Sequence, residues 1–507
     1  MPLPRLRLAH LYEDLEASME QLRQNDRAVA ASRIRLEAAL ASGETIYGVN
    51  TGFGALAHTR IAAEHQQQLQ RNLLLSHAVG VGEALPPEIS RLMLRLKIHA
   101  LGQGYSGVSL PTFRRLLDFD QRGRIPVVPS RGSVGASGDL APLAHLCLPL
   151  IGQGAFWDET GTRCRPALEV LAEEGWEPLE LAAKDGLALI NGTQFMGACG
   201  AYVLEKAQRL LDLYDLAAAM SLEALHGSIK PFDSRVMELR PHAGAMQVAA
   251  HIRFLLQESQ ILESHRHCGK VQDPYCLRCI PQVHGASRDA LAWASTILET
   301  ELNSVTDNPL VLPDGDILSA GHFHGQPLSI ALDTAAMALA TLACIAERRI
   351  YLLLEGHDGL PRLLMQQTGL NSGFMIPQYT AAALVSENKV LCHPACVDSI
   401  PTSLGQEDHV SMGSVAALKL LQVYDNVETV LAIELLTAAQ ALDYRHPLRP
   451  GRGVEAAHQR IRSYIPHREA DYLFHEDLQP IFRLIRSEEL LVASGLRNRH
   501  RPSPNNP

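Results

Sequence analysis

The sequence predicts a mainly α-helical protein, and three observations predict it. Apolar residues recur at spacings of three and four through Leu92–Ile98, Leu204–Leu225, Leu328–Leu354 and Val415–Leu442, which is the period of a helix face. The last two stretches run beyond about twenty residues with few polar interruptions, as in helices covered on several sides within a long central bundle. Aromatic residues make up only 5% of the chain while Ala and Leu are frequent, a balance that favours helix over strand.

Taken in chain order, the pattern divides into an N-terminal region of shorter helices and loops over 1–190, a long-helix bundle over 191–440 and C-terminal helices over 441–507. Gly- and Pro-rich connectors interrupt the helical pattern at Gly48–Gly54, Ile125–Asp139, Asp307–Pro327 and Leu360–Pro377. Loops on a rigid scaffold are where catalytic groups concentrate, so chemistry is sought there. No internal repeat is evident. The tail Arg497–Pro507 is basic and rich in Pro and Asn, a composition that reads as disordered.

Composition narrows the function. A chain of 507 residues with 46% hydrophobic content can bury one very large core or several ordinary ones. Its net charge of −10 offers no electrostatic footprint for nucleic acid or an anionic membrane, so a small-molecule substrate is expected. The segment Met1–Asp14 lacks a continuous apolar core and does not read as a secretory signal, which implies a cytoplasmic protein. The apolar run Thr334–Ala346 ends at Glu347-Arg348-Arg349, short of the roughly 20 residues that span a bilayer; it reads as a buried helix. Nine cysteines are an odd number for a disulfide framework and are expected as free thiols.

Two motifs mislead. Gly102-Gln-Gly104-Tyr-Ser-Gly107 matches the dinucleotide fingerprint, but Arg91–Leu101 before it has helical spacing and position 122 is Arg; a strand before it and an acidic residue about twenty positions on are required. A helix-terminating loop is expected. Cys276 and Cys279, with His265, His267 and Cys268 nearby, suggest a zinc site, yet no second pair completes it, and ordinary thiols are expected. No metal is implied.

The segment Ser130–Asp139 places glycines at 132, 135 and 138 around Ser137. A flexible loop is one reading and a nucleophilic serine another, but the Gly-x-Ser-x-Gly elbow is not met because Gly138 directly follows Ser137. A glycine there allows something else. With no side chain on Gly138, its amide nitrogen can approach the carbonyl carbon of Ala136 and close a five-membered ring. Loss of water there, and from Ser137, leaves an exocyclic methylidene.

On these residues the chain resembles the aromatic amino acid lyases, a family of histidine, phenylalanine and tyrosine ammonia-lyases and related aminomutases. The resemblance runs from about Tyr47 to about Met412. It includes Tyr47–Gly54, Gly132–Asp139, Asn191-Gly-Thr-Gln194, Gln272-Asp-Pro-Tyr275 with Arg278, Thr306-Asp-Asn-Pro309, Asn371–Met375 and Gln406–His409. Each is weak alone; seven in order around a rare tripeptide are specific.

The resemblance implies a 4-methylidene-imidazol-5-one made from Ala136-Ser137-Gly138 as the prosthetic group, with no metal or nucleotide. It implies the family fold, an N-terminal helix and loop region carrying that group followed by the long bundle, and a homotetramer whose active sites are shared between chains. Tyr47 is implied as the base, which needs a phenol pKa lowered by a cation or by hydrogen bonds. Arg278 is implied as a two-point clamp on the substrate carboxylate; Asn191, Tyr275 and Gln272 as polar partners of the substrate or prosthetic ring; and Phe323 and Phe53 as apolar walls. Ser76-His77, just upstream of Gly80-Val81-Gly82, stands where histidine lyases carry Ser-His, and Glu407 agrees with that choice because an imidazole requires polar partners. His322 and Gln326 stand where histidine lyases usually carry Asn and Glu. The implied reaction is the non-oxidative elimination of ammonia from an aromatic L-amino acid, foremost L-histidine to trans-urocanate. A tyrosine or phenylalanine lyase or an aminomutase is the alternative within the family; a zinc hydrolase and an inactive helical scaffold are the alternatives outside it.

Overall fold

The computed structural model describes residues 2–497; positions 498–507 of the tail read as disordered lie outside the described residues. Helix accounts for 61% of the chain, as the apolar periodicity requires. Strand is confined, among the described residues, to three two-stranded antiparallel ladders. The four periodic stretches fall in the helices Pro87–Gly102, Gln194–Ala224, Gln326–Leu354 and Gly413–Asp443. A further long helix, Ile280–Leu302, escaped the periodicity because its buried positions include His284 and Arg288. Gln326–Leu354 is long and apolar enough to cross a membrane, but 67% of its most apolar window is buried inside the chain's own fold.

By contact the chain falls into two compact units. The first comprises Met1–Glu205, Ala294–Asp333 and Pro394–Leu420. In it Leu11–Gln24, Pro87–Gly102 and Leu110–Gln121 pack on one another through Leu15, Met19, Met93, Phe113 and Leu116, all fully buried. Each such side chain contributes roughly 1.5–3 kcal/mol by leaving water. Pro87–Gly102 ends in the 102–107 loop, so the apparent dinucleotide fingerprint follows a helix and not a strand. Gly104 lies at φ +80°, where a Cβ would run into the Ala28 carbonyl; its glycine serves close backbone approach.

Three shorter helices of this unit, Gln66–His77, Leu140–Cys147 and Asp185–Ile190, pack mutually. The first ends in Ser76-His77, the second starts just after the Ala-Ser-Gly tripeptide and the third runs into Asn191. Their packing is what gathers these sequence-distant segments.

The second unit comprises Lys206–Trp293, Thr334–His393 and Leu421–Pro507. Its helices bury Leu213, Leu216, Leu339, Leu342, Val427 and Leu431 completely. They also bury charges, each matched by a partner: Asp215 accepts from His251 Nδ1 at 2.9 Å, His284 Nδ1 at 2.8 Å and Arg288 Nη2 at 2.6 Å, and Arg349 pairs with Glu434 at 2.5 Å. Removing one member of such a buried pair costs about 3–5 kcal/mol, because the other charge is left uncompensated.

Candidate active site

Ala136 and Ser137 are buried, Ser137 only 7% exposed. The chain turns sharply there: Gly135 is at φ +81°, Ser137 at +50° and Gly138 at +81°. A left-handed serine is rare and persists only where the surroundings enforce it. Here Gly192 N–H donates to Ser137 O at 3.3 Å, Asp139 N–H to Gly192 O at 2.8 Å and Met412 N–H to Val134 O at 2.9 Å. A Cβ on Gly138 would run into the Gly192 carbonyl, so residue 138 must be glycine. Ala136 packs against Val410 and Met412. A buried tripeptide turned by left-handed Ser137 and Gly138, with no side chain at 138, is what the ring closure needs, so these residues fit the imidazolone.

Asp139 begins the next helix fully buried, accepting from Phe195 N–H at 2.9 Å, Met196 N–H at 3.0 Å and the Ser414 hydroxyl at 3.0 Å. Burial pushes its carboxyl up to about 7 against those bonds. It ties the tripeptide to the start of Gln194–Ala224, where helix N–H groups welcome an acceptor.

Asn191 is held by Lys97, whose Nζ donates to its carbonyl at 2.5 Å, and by its own Nδ2, which donates to Asn308 O at 2.7 Å. Burial pulls the Lys97 ammonium down to about 8 despite Asp307, and Asp307 in turn pairs with buried Lys184 at 2.8 Å. The Asn191 Oδ1 and Gln194 Oε1 atoms are buried with no hydrogen-bond partner. A buried unpaired acceptor is costly, and beside the tripeptide the two constitute polar capacity left for something else.

Tyr47 opens the second loop. Its hydroxyl oxygen accepts from Gly54 N–H at 2.9 Å, one of the two means expected to stabilise a phenolate. The net effect is nonetheless a pKa raised above the usual phenol value, because desolvation outweighs that bond and the Glu407 charge adds to it. The lowered phenol expected from the sequence is thus not what the described surroundings produce, since burial and the Glu407 charge both act to raise it. The Tyr47 ring lies 5.8 Å from Phe53, and Phe53 meets His77 edge-on at 5.3 Å.

His77 Nδ1 sits 2.8 Å from the Leu73 carbonyl. A carbonyl only accepts, so Nδ1 carries the hydrogen and Nε2 is left as an acceptor. Burial lowers the His77 pKa, against the Leu73 bond and Glu407, which keeps the ring neutral. Ser76 is exposed and reaches His77 Nδ1 at 3.0 Å. Glu407 acts electrostatically on both Tyr47 and His77. Tyr47, Phe53, His77 and Glu407 are therefore brought together, and Gln70, bridging Gly48 O and Leu187 N–H at 3.0 Å each, ties their loop to the helix leading into Asn191. Phe323 is half-buried and His322 exposed on a separate turn, and Gln326 donates to Cys396 O at 2.9 Å.

Gln272, Tyr275 and Arg278 belong to the second unit. Tyr275 is 69% exposed, with the Arg278 guanidinium 4.4 Å above its ring. Arg278 Nε donates to Asp273 O at 2.9 Å, and no carboxylate pairs with the guanidinium among the described residues. Its planar fork is thus presented without a counter-charge. The cysteines suggested for zinc are in no disulfide, and the His265 ring lies 2.7 Å from Ile261 O through Nδ1 and 3.2 Å from Gly227 O through Nε2. The residues that sequence reasoning passed over are Gln70, Lys97, Asp139, Thr402, Ser403 and Ser414. Of these only Asp139 carried a signal, its place directly after the tripeptide.

The long-helix fold buries a strained Ala-Ser-Gly turn at 136–138 and leaves two buried amide oxygens, on Asn191 and Gln194, unpaired. The family model for aromatic amino acid lyases matches residues 7–463, and the chain belongs to that family. It is similar to histidine ammonia-lyase of Myxococcus xanthus, 53% identical over 92% of each chain, and to that of Deinococcus radiodurans, 52% identical over 94% of this chain and 91% of the relative. Among solved structures it is similar to histidine ammonia-lyase from Trypanosoma cruzi, with a TM-score of 0.85 and 43% identity over 93% of this chain and 89% of that one. Tyrosine aminomutase from Streptomyces globisporus aligns with a TM-score of 0.86 and 35% identity over 93% of each chain.

Proposed function

We propose that this chain eliminates ammonia from L-histidine to give trans-urocanate. The observation that carries the reading is the pairing of a tripeptide folded for ring closure with a neutral His77 and a carboxylate, Glu407, beside Tyr47. When formed by loss of two waters from Ala136-Ser137-Gly138, the methylidene-imidazolone supplies the electrophile that captures the substrate amine and turns ammonia into a better leaving group.

The chain's own residues do the rest. Tyr47 takes the β-proton, a poor acid that needs a base placed within hydrogen-bond reach. His77 Nε2 and the Glu407 carboxylate are both acceptors, so one of them takes the single N–H of a neutral substrate imidazole and the two together hold an imidazolium, while Ser76 braces His77. Leaving those ring nitrogens unpaired would cost on the order of 1–3 kcal/mol, which sets the preference over a plain phenyl ring. Arg278 grips the carboxylate in a two-point fork. Asn191, Gln272 and Tyr275 steady the charge that develops on the substrate and ring, and Phe53 and Phe323 flank the plane of the substrate.

We further infer a homotetramer in which one chain completes another's site. Burial and Glu407 raise the Tyr47 phenol, and no carboxylate pairs with Arg278 among the described residues; an Arg278 brought by a neighbouring chain to grip the substrate carboxylate adds positive charge to that site. The exposure of Tyr275 and of Val271, 98% exposed, supports burial of that segment in an assembly. Nine free thiols suit a reducing cytoplasm. The test is to incubate the purified protein with each aromatic amino acid and follow the ultraviolet absorbance of the conjugated acrylate. L-histidine should give the highest kcat/KM; turnover of tyrosine or phenylalanine with none of histidine would overturn the substrate while leaving the lyase mechanism standing.

A further inference from the structure

The loop 402–407 holds an arrangement that the roles assigned above do not use. Ser403 lies at φ +51° and Leu404 at φ +55°, conformations that residues with side chains rarely adopt. Packing does not explain them, since Leu404 is 97% exposed. The strain brings two hydroxyls to bear. Ser403 Oγ accepts from Ala55 N–H at 3.0 Å, in the turn directly after Gly54, whose own N–H donates to the Tyr47 oxygen. Thr402 Oγ1 donates to Glu407 Oε2 at 2.7 Å.

The backbone closes the loop on itself. Thr402 N–H donates to Glu407 O at 3.0 Å and Glu407 N–H returns to Thr402 O at 3.4 Å. Gly54, at φ +58°, is where the two loops come closest: a Cβ there would run into Ser403 Oγ, and Glu407 Oε1 lies 3.9 Å from that point. Of the two carboxylate oxygens, Oε2 is thus taken by Thr402 while Oε1 is turned towards the Tyr47 turn. Only glycine at 54 permits the approach.

We propose that Thr402 and Ser403 form a clasp that sets the geometry between Tyr47 and Glu407, Thr402 by orienting the carboxylate and Ser403 by fixing the turn that supports the phenol. Both are positioning residues, and the assignment rests on the reading that Tyr47 and Glu407 act on the substrate. Strain held by hydrogen bonds at a functional loop is how such geometry is stored, and misplacement of a reacting group by about 1 Å can cost about 100-fold.

The test uses the intact enzyme. Thr402→Val should lower kcat/KM for histidine by about 10- to 100-fold, and Thr402→Ser, which keeps the hydroxyl, should restore it. Combined with Glu407→Gln, Thr402→Val should add no further loss, because it acts through that carboxylate. An additive loss would show a merely structural role and overturn the assignment to Thr402. Ser403→Ala and Gly54→Ala should both lower kcat more than they change KM, and hydrogen exchange at the Ala55 amide, slow in the wild type, should become fast in each. Equal exchange in wild type and Ser403→Ala would overturn the clasp whatever the activities. Full activity of Tyr47→Phe and Glu407→Gln would overturn the functional reading instead, and the amide-exchange result would stand apart from it.

Discussion

The tripeptide turn and the Tyr47 turn lie in the same unit and are held by different means. The turn at 135–138 is fixed mainly by main-chain hydrogen bonds to Gly192 and Met412 and by the absence of room for a side chain at Gly138, with the neighbouring Ser133 hydroxyl accepting from Gly135 N–H at 3.1 Å. The turn at 47–56 adds to its main-chain bonds and to the tight fit at Gly54 two side chains from elsewhere in the chain: Gln70 on Gly48 and Ser403 on Ala55. Steric fixation of this kind tolerates no replacement, whereas a hydroxyl or amide can be removed and its loss measured. Substitutions at the first turn should therefore act all or none, and those at the second in graded steps.

The largest effect is expected at the first turn. Ser137→Ala should abolish turnover with the helical circular dichroism unchanged, since no methylidene can form, and Gly138→Ala should do the same because its methyl group meets the Gly192 carbonyl. Graded loss in either would break the contrast between the turns. Tyr47→Phe should come next, lowering kcat by about 10²- to 10⁴-fold, the usual worth of a positioned base; steady-state kinetics on histidine check it.

Smaller effects sharpen the contrast. Arg278→Lys should raise KM as well as lower kcat, because an ammonium cannot reproduce the two-point fork. His77→Leu should cut kcat/KM for histidine by about 10-fold or more, the equivalent of one unpaired ring nitrogen, and move preference towards phenylalanine or tyrosine, as seen by comparing the substrates on one preparation.

The smallest effect concerns pH. The folded-state pKa of His77 lies below its unfolded value through burial, so its contribution to stability is fully present above about pH 6.5 and is lost as pH falls below that. His77→Gln should make this acid limb of the urea midpoint shallower, the buried His99 and His284 and the half-buried His145 supplying the rest; an unchanged limb would place the titration wholly elsewhere.

How much of this was legible in the sequence differs between helices and loops. The long helices were readable because uninterrupted apolar residues leave no other way to be buried, and Gln326–Leu354 follows that pattern. Ile280–Leu302 was not, because His284 and Arg288 interrupt the apolar pattern while being buried against Asp215, a pairing visible only once separate helices meet. The tripeptide stood out because Gly138 directly follows Ser137, and the resemblance to the lyases supplied what it is expected to form. The residues that hold the site, Gln70, Lys97, Thr402 and Ser403, were not, because a Gln, Lys, Thr or Ser in a polar stretch carries no local mark of the distant backbone atom it will bind. The phenol of Tyr47 taught the same lesson in reverse: the sequence named the residue, but burial and Glu407 set its pKa above the usual value.

The most direct test of the central claim is the intact mass of the folded wild-type chain beside that of Ser137→Ala. The wild type should be lighter than its sequence by two waters and should convert L-histidine to urocanate, with Ser137→Ala at its full sequence mass and inactive. A wild-type chain at full mass that still released ammonia from histidine would contradict the claim that this protein makes its electrophile from Ala136, Ser137 and Gly138.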